Sequence, residues 1–123
     1  MPSNQDLLDF IRSTIRSVWA LELLLALRRH DGRPWTSEQL TAELRASTPL
    51  VTANLAVFEA AGLVLRDKDQ FRYAPANPQL EGLCAGLEAA YRERPVTVIN
   101  AIVSPPGDKL RTLANAFRLK GDT

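Results

Sequence analysis

The sequence predicts a mostly α-helical fold carrying one small β-hairpin, and three observations predict it. Apolar residues recur at three- and four-residue spacing through most of the chain. One short stretch, residues 63–74, instead holds two β-prone runs around a polar turn. Helix caps, first-turn prolines and glycine stops punctuate the segments between. At 123 residues and 46% hydrophobic content, the expectation is a single domain over residues 1–123, long enough to bury one core.

The first helix is predicted in "QDLLDFIRSTIRS", where Leu7 or Leu8, Ile11 and Ile15 form one apolar stripe. "SVWALELLLALRRHDGRPW" follows, apolar nearly all round and closed by Arg28, Arg29 and then Asp31-Gly32, the pattern of a buried central helix. Trp19 and Trp35 are expected as core and core-edge packing, with a ligand pocket as the other reading. In "TSEQLTAELRA", Thr36 and Gln39 have capping-box spacing, and Leu40 and Leu44 give a four-residue apolar step. "STP" interrupts, with Thr48 expected to cap a new helix whose first position is Pro49. Val51, Leu55 and Phe58 point inward from that helix, and Gly62 supplies a left-handed stop.

"LVLR", "DKD" and "QFRYA" read as a hairpin. Asn77 is expected to cap the next helix with Pro78 at its first position, and Leu80, Leu83, Cys84, Leu87 and Tyr91 make a seam along it. In "RPVTVINAIVSPP", β-branching suits a strand while the 96/99/103 spacing after Pro95 suits a helix, and a short helix is the expectation. "DKLRTLANAFRLK" puts Leu110, Leu113, Ala114 and Phe117 on one face.

Composition excludes several classes. The net charge is only +1, so a nucleic-acid site has to be a local patch. One cysteine, Cys84, closes no intrachain disulfide and builds no zinc cage, and it reads as a small buried hydrophobe. The apolar stretch Val18 to Leu27 is shorter than the about 20 residues a bilayer needs and is broken by Glu22, so no membrane association is expected and the location is expected to be cytoplasmic. His30, between Arg29 and Asp31, reads as a helix-end residue; with no nucleophile or ligand set at a recognisable spacing, neither an enzyme nor a metal or other cofactor is expected.

The order of central helix, capped short helix, three-residue turn, second helix ending "FEAAGLV" and hairpin "LRDKDQFRYAP" resembles the winged helix-turn-helix of small bacterial transcriptional regulators such as the MarR group. The resemblance covers about residues 18–75, with extra helices before it and a C-terminal helical extension over about 77–120. It implies a DNA-binding transcription regulator, with a recognition helix at about 49–61 in the major groove and a wing at about 63–74 on the phosphates. Carried onto this sequence, it implies DNA contacts from Thr48, Thr52 and Asn54 on the helix and from Arg66, Lys68, Gln70 and Arg72 on the wing.

Charge sets a second reading beside the first. Residues 36–74 hold four cations (Arg45, Arg66, Lys68, Arg72) against five anions (Glu38, Glu43, Glu59, Asp67, Asp69), a net of −1, and the helix itself has no lysine or arginine. Affinity for DNA comes largely from neutralised phosphates, so folding has to segregate the signs or other segments have to lend charge, such as residues 1–35 with Arg12, Arg16, Arg28, Arg29 and Arg33 against Asp6, Asp9, Glu22 and Asp31. The alternative is the same architecture turned to a transcription-related protein partner, part of the transcription machinery or another regulator, bound through the recognition helix or the C-terminal helix. The apolar faces Leu80, Leu83, Leu87, Tyr91 and Leu110, Leu113, Phe117 are expected to meet a second copy, giving a homodimer.

Overall fold

A computed structural model describes residues 3–103. In chain order the elements are helices α1 (Asn4–Thr14) and α2 (Val18–Arg29), strand β1 (Trp35–Thr36), helices α3 (Ser37–Leu44) and α4 (Thr48–Ala60), strands β2 (Val64–Asp67) and β3 (Gln70–Tyr73), and helices α5 (Pro78–Glu93) and α6 (Pro95–Val103). The fold is therefore mostly helical with a small antiparallel sheet of order β1-β3-β2. The described residues divide into two compact units, residues 19–81 and the flanking residues 3–18 with 82–103.

In the flanking unit, α1 starts at a capping box in which Ser3 Oγ accepts from the Asp6 amide while the Asp6 carboxylate accepts from the Ser3 amide. Its stripe buries Leu7, Leu8, Phe10 and Ile11, and α6 lies against it. The segment 96–103 is thus helix: Val98, Ala101 and Ile102 turn inward at three- and four-residue spacing, which a strand's alternation would not allow. On α5 the inward positions are Cys84 and Leu87, so Cys84 is the buried small hydrophobe that its place in the seam suggested.

The second unit is built on α2, whose Ala20, Leu21 and every residue from Leu23 to Leu27 are buried. Trp19 departs from the expected core role: it is 45% exposed, because it shares the outer stripe of α2 with Glu22 and Arg29, three and ten positions on. Leu40 of α3, Val51, Leu55 and Phe58 of α4, and Val64, Phe71 and Tyr73 of the hairpin complete this core.

Candidate nucleic-acid interface

The segment from β1 to β3 is assembled by local signals. Thr36 Oγ1 accepts from the Gln39 amide at 3.1 Å and the Gln39 side chain accepts from the Thr36 amide at 3.0 Å, which starts α3. At the other end Arg45 adopts φ 54°, ψ 38°. The Arg45 amide donates to Ala42 O and the Ala46 amide to Thr41 O, the pair of bonds by which a left-handed residue closes a helix. Three residues, 45–47, separate α3 from α4. The cap of α4 is Ser47, whose hydroxyl accepts from the Leu50 amide; Thr48 is the first helical residue instead of the cap, and Pro49 sits second, where its missing N–H is equally harmless.

α4 ends as expected. Gly62 has φ +80°, with the Gly62 amide donating to Glu59 O and the Leu63 amide to Phe58 O. A Cβ at Gly62 would meet Ala76 Cβ at 3.3 Å and Leu80 Cδ1 at 3.4 Å. The hairpin then pairs Val64 with Tyr73, Leu65 with Arg72, Arg66 with Phe71 and Asp67 with Gln70, so only Lys68 and Asp69 turn the chain, not three residues. Lys68 takes positive φ there, 60°.

Strand alternation sorts the hairpin's side chains. Val64, Arg66, Phe71 and Tyr73 share the inner face with Trp35, the register partner of Phe71, while Leu65, Asp67, Gln70 and Arg72 share the outer one. Neighbouring charges of opposite sign in the sequence, Arg66 and Asp67, are thereby separated. Arg66 Nε donates to Lys68 O at 2.9 Å, and its guanidinium lies 5.7 Å from the Phe71 ring centre. The guanidinium of Arg33 lies 3.8 Å from the centre of the Trp35 ring, and the centres of the His30 and Trp35 rings are 5.5 Å apart with their planes at 64°.

The base of the hairpin is tied to the start of α5. Asn77 Oδ1 accepts from the Leu80 amide, capping α5 at Pro78 as expected. Tyr73 OH donates to Glu81 Oε1 at 2.6 Å and Arg28 Nη2 donates to Glu81 Oε2 at 2.9 Å. Partial burial pushes the Glu81 carboxyl up, but the hydrogen bonds from Tyr73 and Arg28 and the charge of Arg28 outweigh it and hold the group below the ordinary glutamate range.

Thr48 and Thr52 are exposed on α4, and Arg66, Lys68, Gln70 and Arg72 are exposed on the hairpin. Asn54 is placed differently from its expected DNA-facing position. It is only 9% exposed, and its Nδ2 donates to Leu50 O at 3.0 Å. The reason is its spacing, since residues 51, 54, 55 and 58 are one helical stripe. The open face of α4 consists of Thr48, Pro49, Thr52, Ala53, Ala56, Glu59 and Ala60. Of the positions expected at a subunit contact, Leu87 is 0% exposed and belongs to the core of a single chain, because it follows Cys84 by three positions on the inward stripe of α5. Leu80, Leu83 and Tyr91 are half-buried, and Leu110, Leu113 and Phe117 lie outside the described residues.

Sequence reasoning missed the cap at Ser47, the left-handed Arg45 and the anchoring role of Glu81. Arg33 entered it only as a charge; the signal for its stacking was the spacing of two to Trp35. Among the described residues, no group of three or more His, Cys, Asp or Glu side chains lies together as metal ligands would, and no helix is long and apolar enough to cross a membrane. Compared with known proteins, the chain matches no protein-family model, no curated protein and no solved structure.

Proposed function

We propose that this protein is a winged-helix regulator of transcription that binds DNA, similar in build to the MarR group, with α4 as recognition helix and β2–β3 as wing. The observation that carries the reading is the element order α2-β1-α3-α4-β2-β3 with a three-residue turn before α4 and an exposed hairpin bearing Arg66, Lys68 and Arg72. α4 presents a low relief of hydroxyls and methyls, a surface that permits close approach of the helix to base edges and contact with thymine methyls. Thr48 and Thr52 are the side chains that read bases, and the wing cations supply phosphate affinity.

The regulator acts in the cytoplasm as a homodimer joined through its terminal helices. The support is on α6, where Val96 and Val103, seven positions apart on one face, are 68% and 63% exposed. Sedimentation at micromolar concentration tests the assembly, and a monomer there removes it.

One observation favours a second reading. The inward Asn54 and the cation-free open face of α4 suit a helix that meets a protein of the transcription machinery. Selection of duplexes from a random-sequence pool separates the two. A DNA reader enriches a common site that Thr52→Ala relaxes; a pool that stays random removes sequence reading and leaves the protein-binding module.

A further inference from the structure

Two arginines of the second unit lie over aromatic rings, and the two rings are register partners. Arg33 covers Trp35 at 3.8 Å and Arg66 covers Phe71 at 5.7 Å, while Trp35 and Phe71 face each other across β1 and β3. The result is a row, Arg33–Trp35–Phe71–Arg66, that crosses all three strands on the inner face. Trp35 is 2% exposed and Phe71 9%, so the rings are fixed supports, whereas both arginines are exposed. Neither arginine is joined to a carboxylate among the described residues. The acidic wing residue nearest in sequence, Asp67, points to the opposite face of the sheet.

We propose that Arg33 is a phosphate-binding residue of the DNA site, held ready by Trp35, and that it acts together with Arg66. The assignment rests on the DNA-binding reading given above. A guanidinium held over a ring loses little freedom when it binds, keeps its N–H donors at its own edge clear of the ring, and matches the two oxygens of a phosphodiester. β1 and β2 are two strand spacings apart, about 10 Å, so the two arginines are close enough to meet nearby phosphates of one backbone. The two arginines therefore suit phosphates of one backbone, and Arg33, which lies outside residues 36–74, adds one cation to a segment whose own balance is −1.

The test is the salt dependence of duplex binding, read by fluorescence anisotropy on the full chain. Arg33→Ala is expected to reduce the slope of log affinity against log salt by about 0.9 per bound copy, with an unchanged melting midpoint. Arg33→Lys, which keeps the charge without the stacked plane, is expected to restore the slope at lower affinity. Arg92→Ala, an exposed arginine of α5 with no such support, is expected to keep the wild-type slope. The assignment is overturned when wild type binds and Arg33→Ala keeps its slope, when Lys fails to restore it, or when Arg92→Ala lowers it as much. Wild type that binds no duplex at low salt overturns the assignment and the DNA reading together.

Discussion

Tyr73 donates its hydroxyl to the Glu81 carboxylate at 2.6 Å, and that one bond fixes the end of the hairpin to the first turn of α5. Arg28, at the end of α2, holds the other carboxylate oxygen. Three elements thus meet on one anion, and the folded state prefers Glu81 ionised. A carboxyl whose folded pKa lies below its unfolded value stabilises the fold above the unfolded pKa and loses that contribution as pH falls through the folded one.

Glu81→Gln is therefore expected to lower the melting midpoint at pH 7 and to weaken its fall below about pH 4.5. The carboxylate is about half exposed, so the cost at neutral pH is modest, about 1 kcal/mol or less. Thermal melts of both proteins between pH 3 and 7 check it, and parallel pH profiles would contradict the role given to Glu81.

Gly62→Val is expected to cost about 1 kcal/mol or more, since φ +80° disfavours any side chain and its Cβ would press on Ala76 and Leu80. The melting midpoint reads it directly. An unchanged midpoint would mean that α4 does not end in a left-handed glycine.

Arg45→Gly is the mirror case. Arg45 occupies the left-handed position that closes α3, where glycine carries no Cβ penalty. The exchange is expected to raise stability by roughly 0.5–1 kcal/mol, measured by denaturant unfolding at constant m-value. A lower midpoint would rule out the αL closure.

Asn54→Leu is expected to leave stability unchanged or slightly raised and to leave DNA preference unaltered. The side chain is buried on the 51/54/55/58 stripe, its single hydrogen bond goes to a backbone carbonyl of its own helix, and leucine has a similar volume and better helix propensity. A relaxed preference at one adenine would instead return Asn54 to the DNA surface.

Helix stripes, caps and stops were legible wherever a single residue type enforces them. Thr36 with Gln39, Gly62, and Asn77 with Pro78 each occupy the role their chemistry implies. Where two neighbours could serve equally, the sequence was silent. Ser47 and Thr48 both cap well, and Pro49 tolerates either of the first two positions of α4. Asp67 suits a turn or a strand end, so the two-residue turn emerges only from its pairing with Gln70. The winged-helix resemblance places Asn54 outward by position, whereas its spacing from Val51, Leu55 and Phe58 puts it inward. The stacking of Arg33 has only its spacing of two to Trp35 as a signal, and the anchoring of Glu81 depends on residues brought together by folding, Arg28 being 53 positions away, so no local pattern announces it.

DNA binding by the α4 and hairpin surface leaves a direct signature in salt dependence. Its most direct measurement is the affinity of the wild-type protein for duplex DNA as salt is raised from 50 to 200 mM, beside a variant combining Arg66→Ala, Lys68→Ala and Arg72→Ala. Binding at low salt with a steep negative slope is expected, reduced in the variant by about 0.9 for each phosphate that a copy no longer neutralises. No binding at 50 mM salt, where phosphate attraction is strong, or an identical slope in the variant, would contradict it.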